Sequence, residues 1–385
     1  MHAGASERGG RARSDEDGLG KEARRDVGGP ERRGRGREQG LARTRTRGSC
    51  RDRRLAPVSS DVAAVPAPRP APTRSAGWRE RLAHPVLVAN LVGQIGIVVT
   101  GGAVRLTGSG LGCSTWPQCE PGQFAPVFHE AATYHRFVEF GNRTLTGVLS
   151  VLAVLVILVV WPDRRRARSY RLLGFAPLLG VAAQAVIGGV IVLLHLHPAW
   201  VSLHFLVSML LVVLSTLLVH RGREGDAAPV PVVPPAARAL VPVLAVLLAV
   251  VLVLGAVTTG AGPHSGDEEV GYRFAVDPYL MARVHAASVW LFVAALVALL
   301  VLNRRGPQAL RRRGRVMVAL VALQGLIGYV QVATDLPVLL VLLHMLGAAL
   351  LAAGTTHYLL TFRTRDVDAP GATASAATAA AAPPA

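Results

Sequence analysis

The sequence predicts an all-α polytopic membrane protein with eight transmembrane helices. The chain is 51% hydrophobic yet carries a formal net charge of +17, so apolar and basic residues must be segregated along it. Eight apolar runs of about 18 to 25 residues are each long enough to cross a bilayer core as a helix. The runs begin near Pro85, Phe137, Leu172, Val201, Leu240, Met281, Val316 and Leu336. A spanning backbone must satisfy its own hydrogen bonds in lipid, which favours helices.

Both ends of the chain differ in composition from the apolar runs. Residues 1–80 are rich in Arg, Gly and Pro, and residues 366–385 are of low complexity. Such segments bury too little apolar surface to offset their ordering entropy, so both are predicted to be disordered. The basic N-terminal extension allows a nucleic-acid tail, but a solvated cytoplasmic extension is favoured and no nucleic-acid partner is expected. We see no cleavable signal peptide.

The loops between the apolar runs alternate in charge. Loops 162–171, 221–225, 303–315 and 362–365 are basic, whereas the intervening loops hold few Arg and no Lys. The positive-inside rule therefore predicts a multi-pass protein of the cell membrane with both termini in the cytoplasm. Cys113 and Cys119 then lie in an outer loop, where an oxidising environment lets thiols pair. A structural staple and a thiol pair that takes part in chemistry both remain open at this point.

The chain contains an internal repeat. Residues 183–211 align without a gap on residues 323–351, and the glycine-rich segment 99–110 resembles 256–267. The matched pairs are Gln184 with Gln324, Gly188 with Gly328, and His204 with His344. The repeat predicts two pseudo-symmetric four-helix bundles, related by an axis along the membrane normal. The predicted boundaries are 81–222 for the first bundle, 223–238 for a cytoplasmic linker and 239–365 for the second bundle.

Three histidines lie inside apolar runs, where an ionisable residue indicates function. His204, His285 and His344 all lie near the outer ends of their apolar runs. His344 is seven residues past Pro337, which places it about 10 Å into the membrane from the outer side by helix rise. His285 and His344 belong to the second and fourth helices of one predicted bundle. Two facing imidazoles in a bundle core can be axial ligands of one heme. A zinc or iron site would need further ligands, and none is obvious at this depth.

The corresponding positions of the first bundle differ. Its fourth helix carries His204, but Asn142 occupies the position that matches His285. Glu139 lies one helical turn before Asn142 on the same face, and Arg143 follows. A carboxylate beside a heme-sized cavity suggests a group that handles protons or faces the substrate.

The motifs "GGAVRLTGSGLGCSTWPQC", "EFGNR" and "VTTGAGPHSGD", with the three histidines, resemble those of the heme A synthase family of bacteria and mitochondria. The resemblance is actinobacterial-like and covers about residues 80–365. It implies an oxidoreductase that converts heme O to heme A in the supply of heme to a terminal oxidase. The reaction oxidises a ring methyl group to a formyl group by successive hydroxylations, with heme b as cofactor.

The resemblance also implies roles for individual residues. The implied heme b ligands are His285 and His344, the ligand of the substrate iron is His204, the essential carboxylate is Glu139, and the redox-linked disulfide joins Cys113 and Cys119. Arg105, Arg143 and Arg283 lie near the outer surface and could pair with heme propionates. Asn142 departs from the family pattern, which has His there, so we expect one face of the substrate iron to be open or weakly ligated.

Two other classes of protein compete with this interpretation. A di-heme electron-transfer protein of the cytochrome b type would carry paired histidines about 20 Å apart along each of two helices, whereas this chain has one intramembrane His per helix. A repeat-built transporter would need a polar midplane, and here the midplane is Leu, Val and Ala. The expected partners are heme O, the heme O synthase, the terminal oxidase assembly machinery and membrane lipid. A homo-oligomer is compatible with the sequence.

Overall fold

The computed structural model describes residues 77–127, 134–264, 266–267 and 269–365. The helices and strands in chain order are α1 (Trp78–Leu106), α2 (Tyr134–Val160), α3 (Arg168–Leu173), α4 (Ala176–Leu193), α5 (Pro198–Arg221), β1 (Val230–Pro231), α6 (Pro235–Ala261), α7 (Pro278–Leu302), α8 (Gln308–Ala333), α9 (Val338–Leu360) and β2 (Arg363–Thr364). The predicted disorder of residues 1–80 and 366–385 falls almost wholly outside the described residues.

Eight helical segments in the described part of the chain are long and apolar enough to cross a membrane. This confirms the predicted all-α polytopic class. The third segment, residues 168–193, is divided into α3 and α4. The division precedes Pro177, which has no backbone N–H to donate to Leu173 and disfavours a helical residue before it.

Several helices begin before their apolar runs. Pro198, Pro235 and Pro278 each stand in the first turn of a helix, where a missing N–H costs no hydrogen bond. Asp277 caps α7 by accepting hydrogen bonds from the backbone N–H groups of Tyr279 and Leu280. The largest extension is in α8, which begins at Gln308 because the basic residues before Val316 are helical as well.

Four helices, α1, α5, α6 and α9, form the centre of the described fold. Helix α1 packs on α2, α5 and α9, while α5 also contacts α4, α6 and α9, and α6 contacts α7 and α9. The buried core between them includes Val98, Val212, Leu244, Phe292 and Ala349. The fourth helix of each repeat, α5 or α9, is therefore central. The pseudo-symmetry axis and the bundle boundaries remain predictions.

Alternation of the eight spans places the connections on two sides. The loop 107–127 and the loops that follow α4, α6 and α8 share one side, here called the cysteine side. The opposite side holds the loops after α2, α5 and α7 and the residues after α9. There β1 and β2 form a short antiparallel ladder in which Val230 pairs with Thr364.

Candidate heme site on the cysteine side

The loop after α1 is closed by a disulfide between Cys113 and Cys119. Both residues are fully buried, and the loop continues into a tight turn in which the Cys119 N–H donates to the Gln123 carbonyl over 3.1 Å. The pairing that the resemblance implied is thus present. Its redox role remains a prediction.

The disulfide loop is hydrogen-bonded directly to the predicted catalytic carboxylate. Glu139, near the start of α2, is 5% exposed and accepts a hydrogen bond of 2.7 Å from the Cys113 backbone N–H. Arg143, one turn further along, forms an ion pair with Glu139 and donates from Nη1 to the Thr115 carbonyl over 2.9 Å. The carboxylate, the guanidinium and the disulfide loop therefore form one connected unit, so a shift of the loop would shift Glu139.

Asn142 is held by a residue that the sequence did not single out. The Thr100 hydroxyl on α1 donates to Asn142 Oδ1 over 2.7 Å. Oδ1 is the amide atom that could bind a metal. The hydrogen bond that this oxygen accepts makes it an even weaker metal ligand. Thr100 lies within the glycine-rich segment 99–110, but the sequence does not reveal its partner 42 residues away.

The histidines of the two repeats have matching surroundings. Gln184 Nε2 donates to the His204 carbonyl over 3.0 Å, and Gln324 Nε2 donates to the His344 carbonyl over 2.8 Å. Each histidine also faces a glycine of the preceding helix. A Cβ placed on Gly188 would lie 3.7 Å from His204 Cε1, and one on Gly328 would lie 3.1 Å from His344 Cε1. The aligned residues thus repeat in three dimensions as well as in sequence.

His285 on α7 completes the set. It faces Gly255 of α6, where a Cβ would lie 3.1 Å from His285 Cε1. Helix α6 in turn contacts α9, which carries His344. The structure therefore brings these two predicted ligands into one region of the second repeat.

The donor set fits a heme. The Nδ1 atoms of His204, His285 and His344 are buried and have no hydrogen-bond partner within the described ranges. None of the ion pairs among the described residues involves these imidazoles, so each is available as an axial heme ligand. Glycines facing the rings leave room for the rings to adjust, and no cluster of three or more His, Cys, Asp or Glu that could hold a bare metal ion is present among the described residues.

The remaining predicted positions have other partners. Arg105 donates to the carbonyls of His264 and Thr259 and so connects the cysteine-side ends of α1 and α6. Arg283 is exposed. His135 lies seven residues before Asn142 on α2, and its Nδ1 is 2.9 Å from the Ser109 hydroxyl. The pairing of arginines with propionates stays a prediction.

Fold and site together define a class: a multi-pass helical membrane protein with half-buried histidines, each facing a glycine, at the end that carries a disulfide loop. Residues 85–263 match the family model described as cytochrome oxidase assembly protein (COX15-CtaA). The match includes Cys113, Cys119, Glu139 and His204. The region of His285 and His344 lies beyond it.

Three relatives, each named heme A synthase, align with part of the chain. The protein of Lysinibacillus sphaericus is 33% identical over 145 residues, which is 36% of this chain and 46% of the relative. That of Alkalihalophilus pseudofirmus is 27% identical over 147 residues, 37% of this chain and 48% of the relative. That of Bacillus cereus is 33% identical over 128 residues, 32% of this chain and 40% of the relative. The chain thus spans less than half the length of these relatives.

Proposed function

We propose that the protein is a heme A synthase: an oxidoreductase that converts the ring methyl group of heme O to a formyl group by successive hydroxylations. The observation that carries the proposal is the set of three imidazoles with buried Nδ1 atoms on the side of the protein that also holds Glu139 and its hydrogen bond to the disulfide loop. The relatives' names and the family match support the same reaction. A terminal oxidase would be the consumer of the product.

Heme b is the proposed resident cofactor, held by His285 and His344 of the second repeat. The packing of His285 against α6, which itself contacts the α9 helix of His344, supports this assignment. When bound, heme b supplies one-electron redox chemistry. The two imidazoles of α7 and α9 would hold it, and the glycines behind them would limit how far each ring can move away.

The proposed substrate site lies in the first repeat. His204 binds the iron of heme O on one face, and the hydrogen-bonded Asn142 leaves the other face open or weakly ligated. Glu139 accepts a proton from the oxygen added to the methyl carbon. Arg143 stabilises the ionised carboxylate, and the bond from the Cys113 N–H fixes its position. The disulfide thereby positions the carboxylate as well as closing the loop.

The membrane context follows from charge. The basic loops on the side opposite the cysteine loop support an orientation with both termini in the cytoplasm and the heme sites near the outer face of the cell membrane. Heme O would enter from the lipid phase, where the heme O synthase would release it.

The test is extraction and chromatography of the hemes bound to the purified full-length chain. Heme B together with heme O or heme A supports the synthase. Heme B alone, reduced by quinol at two potentials, would instead identify the di-heme electron-transfer protein. In the Glu139→Gln variant, heme b should remain while heme A is lost or a partly oxidised heme accumulates. Glu120→Gln is the matched control, because Glu120 also pairs with an arginine, Arg136, on the same side.

Histidine variants test the cofactor assignment separately. His285→Ala or His344→Ala should abolish the bis-imidazole spectrum of heme b. His357→Ala is the control, since it removes an imidazole of the same helix as His344 about 20 Å away by helix rise. A six-coordinate, low-spin heme b that persists in both of the first two variants would refute the assignment.

A further inference from the structure

A second candidate site lies on the side opposite the hemes, where α7 ends and α8 begins. A cavity of about 470 Å³ opens there beside α9. Three arginines line it: Arg304, Arg311 and Arg315. None of the proposed heme chemistry uses these residues, and they lie beyond the family match.

The arginines of this cavity lack counter-ions. Residues 303–315 contain six arginines and no acidic residue. None of the ion pairs found in the described chain involves Arg304, Arg311 or Arg315. Arg311 Nη1 donates a hydrogen bond to the backbone carbonyl of Arg304 over 3.3 Å, so the Arg311 side chain lies against the end of α7.

The inner wall of the cavity carries an unpaired hydroxyl. Tyr358 of α9 is 1% exposed, lines the cavity, and has no hydrogen-bond partner for its hydroxyl within the described residues. The neighbouring residue of α8 is Gly314, where a Cβ would lie 3.4 Å from the tyrosine oxygen. The glycine lets Leu300 pack against α8 next to this hydroxyl, since a Cβ would clash with Leu300 Cδ2. Buried hydroxyls are normally paired, so this one indicates a ligand oxygen.

The cavity also has an apolar side that continues onto the membrane-facing surface. Leu300 and Val318 line it, and Val318 is 44% exposed. A free phosphate has no apolar group to pack against this wall, whereas the first methylenes of an acyl chain would pack along it. Guanidinium groups match phosphate oxygens in geometry as well as in charge.

We propose that this cavity binds the phosphodiester headgroup of an anionic glycerophospholipid. The phosphate contacts Arg304, Arg311 and Arg315, the Tyr358 hydroxyl donates to a headgroup oxygen, and the acyl chain follows Leu300 and Val318. Basic pockets between membrane helices recognise lipid headgroups in this way. The bound lipid connects α7, α8 and α9, and so stabilises the two helices that carry His285 and His344.

Native mass spectrometry of the purified full-length chain tests the proposal. The protein in detergent is titrated with phosphatidylglycerol, with phosphatidylcholine, and with inorganic phosphate alone. We expect one phosphatidylglycerol molecule to be retained preferentially. Arg304→Gln, Arg311→Gln and Arg315→Gln should each weaken its apparent affinity by about fivefold, the effect of one surface arginine. Tyr358→Phe should also weaken retention while preserving the ring and its packing on Phe362.

Arg305→Gln is the matched control, because Arg305 belongs to the same basic segment but does not line the cavity. Its affinity for phosphatidylglycerol should stay close to that of the parent. An equal loss in Arg305→Gln would show a diffuse attraction to the membrane surface and overturn the site. Equal retention of phosphatidylcholine would overturn the anionic headgroup. Inorganic phosphate that displaces the lipid fully at equal concentration would overturn the lipid in favour of a free oxyanion.

Discussion

Replacing the glycines that face the histidines should separate the two proposed heme sites. A Cβ on Gly328 would lie 3.1 Å from His344 Cε1, whereas one on Gly188 would lie 3.7 Å from His204 Cε1. The first distance is below an ordinary van der Waals contact and the second is within it. Gly328→Ala therefore displaces the His344 imidazole by a few tenths of an ångström, and Gly188→Ala leaves the His204 imidazole in place.

The cost should appear as weaker heme binding. An unligated ring can turn away from the new methyl group, but a ring bound to iron cannot. Overpacking costs about 1–3 kcal/mol, and a small overlap belongs at the low end, so we take about 1 kcal/mol. This corresponds to roughly fivefold weaker retention of heme b. Gly255→Ala presses on His285 at the same 3.1 Å, and the double variant should lose about 2 kcal/mol, or roughly thirtyfold.

The assay is heme b content after washing in detergent, read from the reduced-minus-oxidised spectrum, with thermal unfolding of the heme-free chain as a second readout. Gly328→Ala and Gly255→Ala should lose heme b without a matching loss of heme-free stability. Gly188→Ala is the control and should keep heme b fully. The reasoning is refuted if all three variants retain heme b equally, or if Gly188→Ala loses as much as Gly328→Ala.

Three further predictions concern other parts of the molecule. Asn142→His should convert the substrate heme from an open or weakly ligated state to a low-spin one; a wild-type spectrum with two fully low-spin bis-imidazole hemes would contradict this. Cys113 and Cys119 should resist alkylation in membranes isolated without reductant and label after reduction, and a double Ser variant with full heme A production would leave the disulfide a purely structural role. Burial alone would raise the pKa of Asp226, but hydrogen bonds from Arg166 and the Ala167 N–H lower it below its usual value. The ionised Asp226 carboxylate then stabilises the fold above the pKa that Asp226 has in the unfolded chain, and this stabilisation is lost as pH falls through its pKa in the folded protein. Asp226→Asn should therefore make the melting temperature less dependent on pH at the acid end.

The membrane architecture could be predicted from sequence because its causes act within short windows. Transfer of about 20 apolar residues into lipid is favourable whatever the rest of the chain does, so hydropathy alone located eight spans. The residues at which helices begin and end were harder to predict from the sequence. The start of α8 at Gln308 depends on a basic segment continuing a helix beyond its apolar run, and hydropathy does not register such residues as part of a span.

The sequence by itself also determined which residue types stand at which depth: three histidines, a carboxylate and a cysteine pair near one face, with Asn142 in the place of a fourth histidine. Only the tertiary structure decided their partners. The Cys113 N–H meets Glu139 across 26 residues, and Thr100 meets Asn142 across 42. Depth follows from hydropathy and helix rise, which are local, whereas partners follow from how α1, α2 and the disulfide loop pack together. That packing depends on the shapes of many side chains at once, and a pattern along one chain does not encode it in readable form.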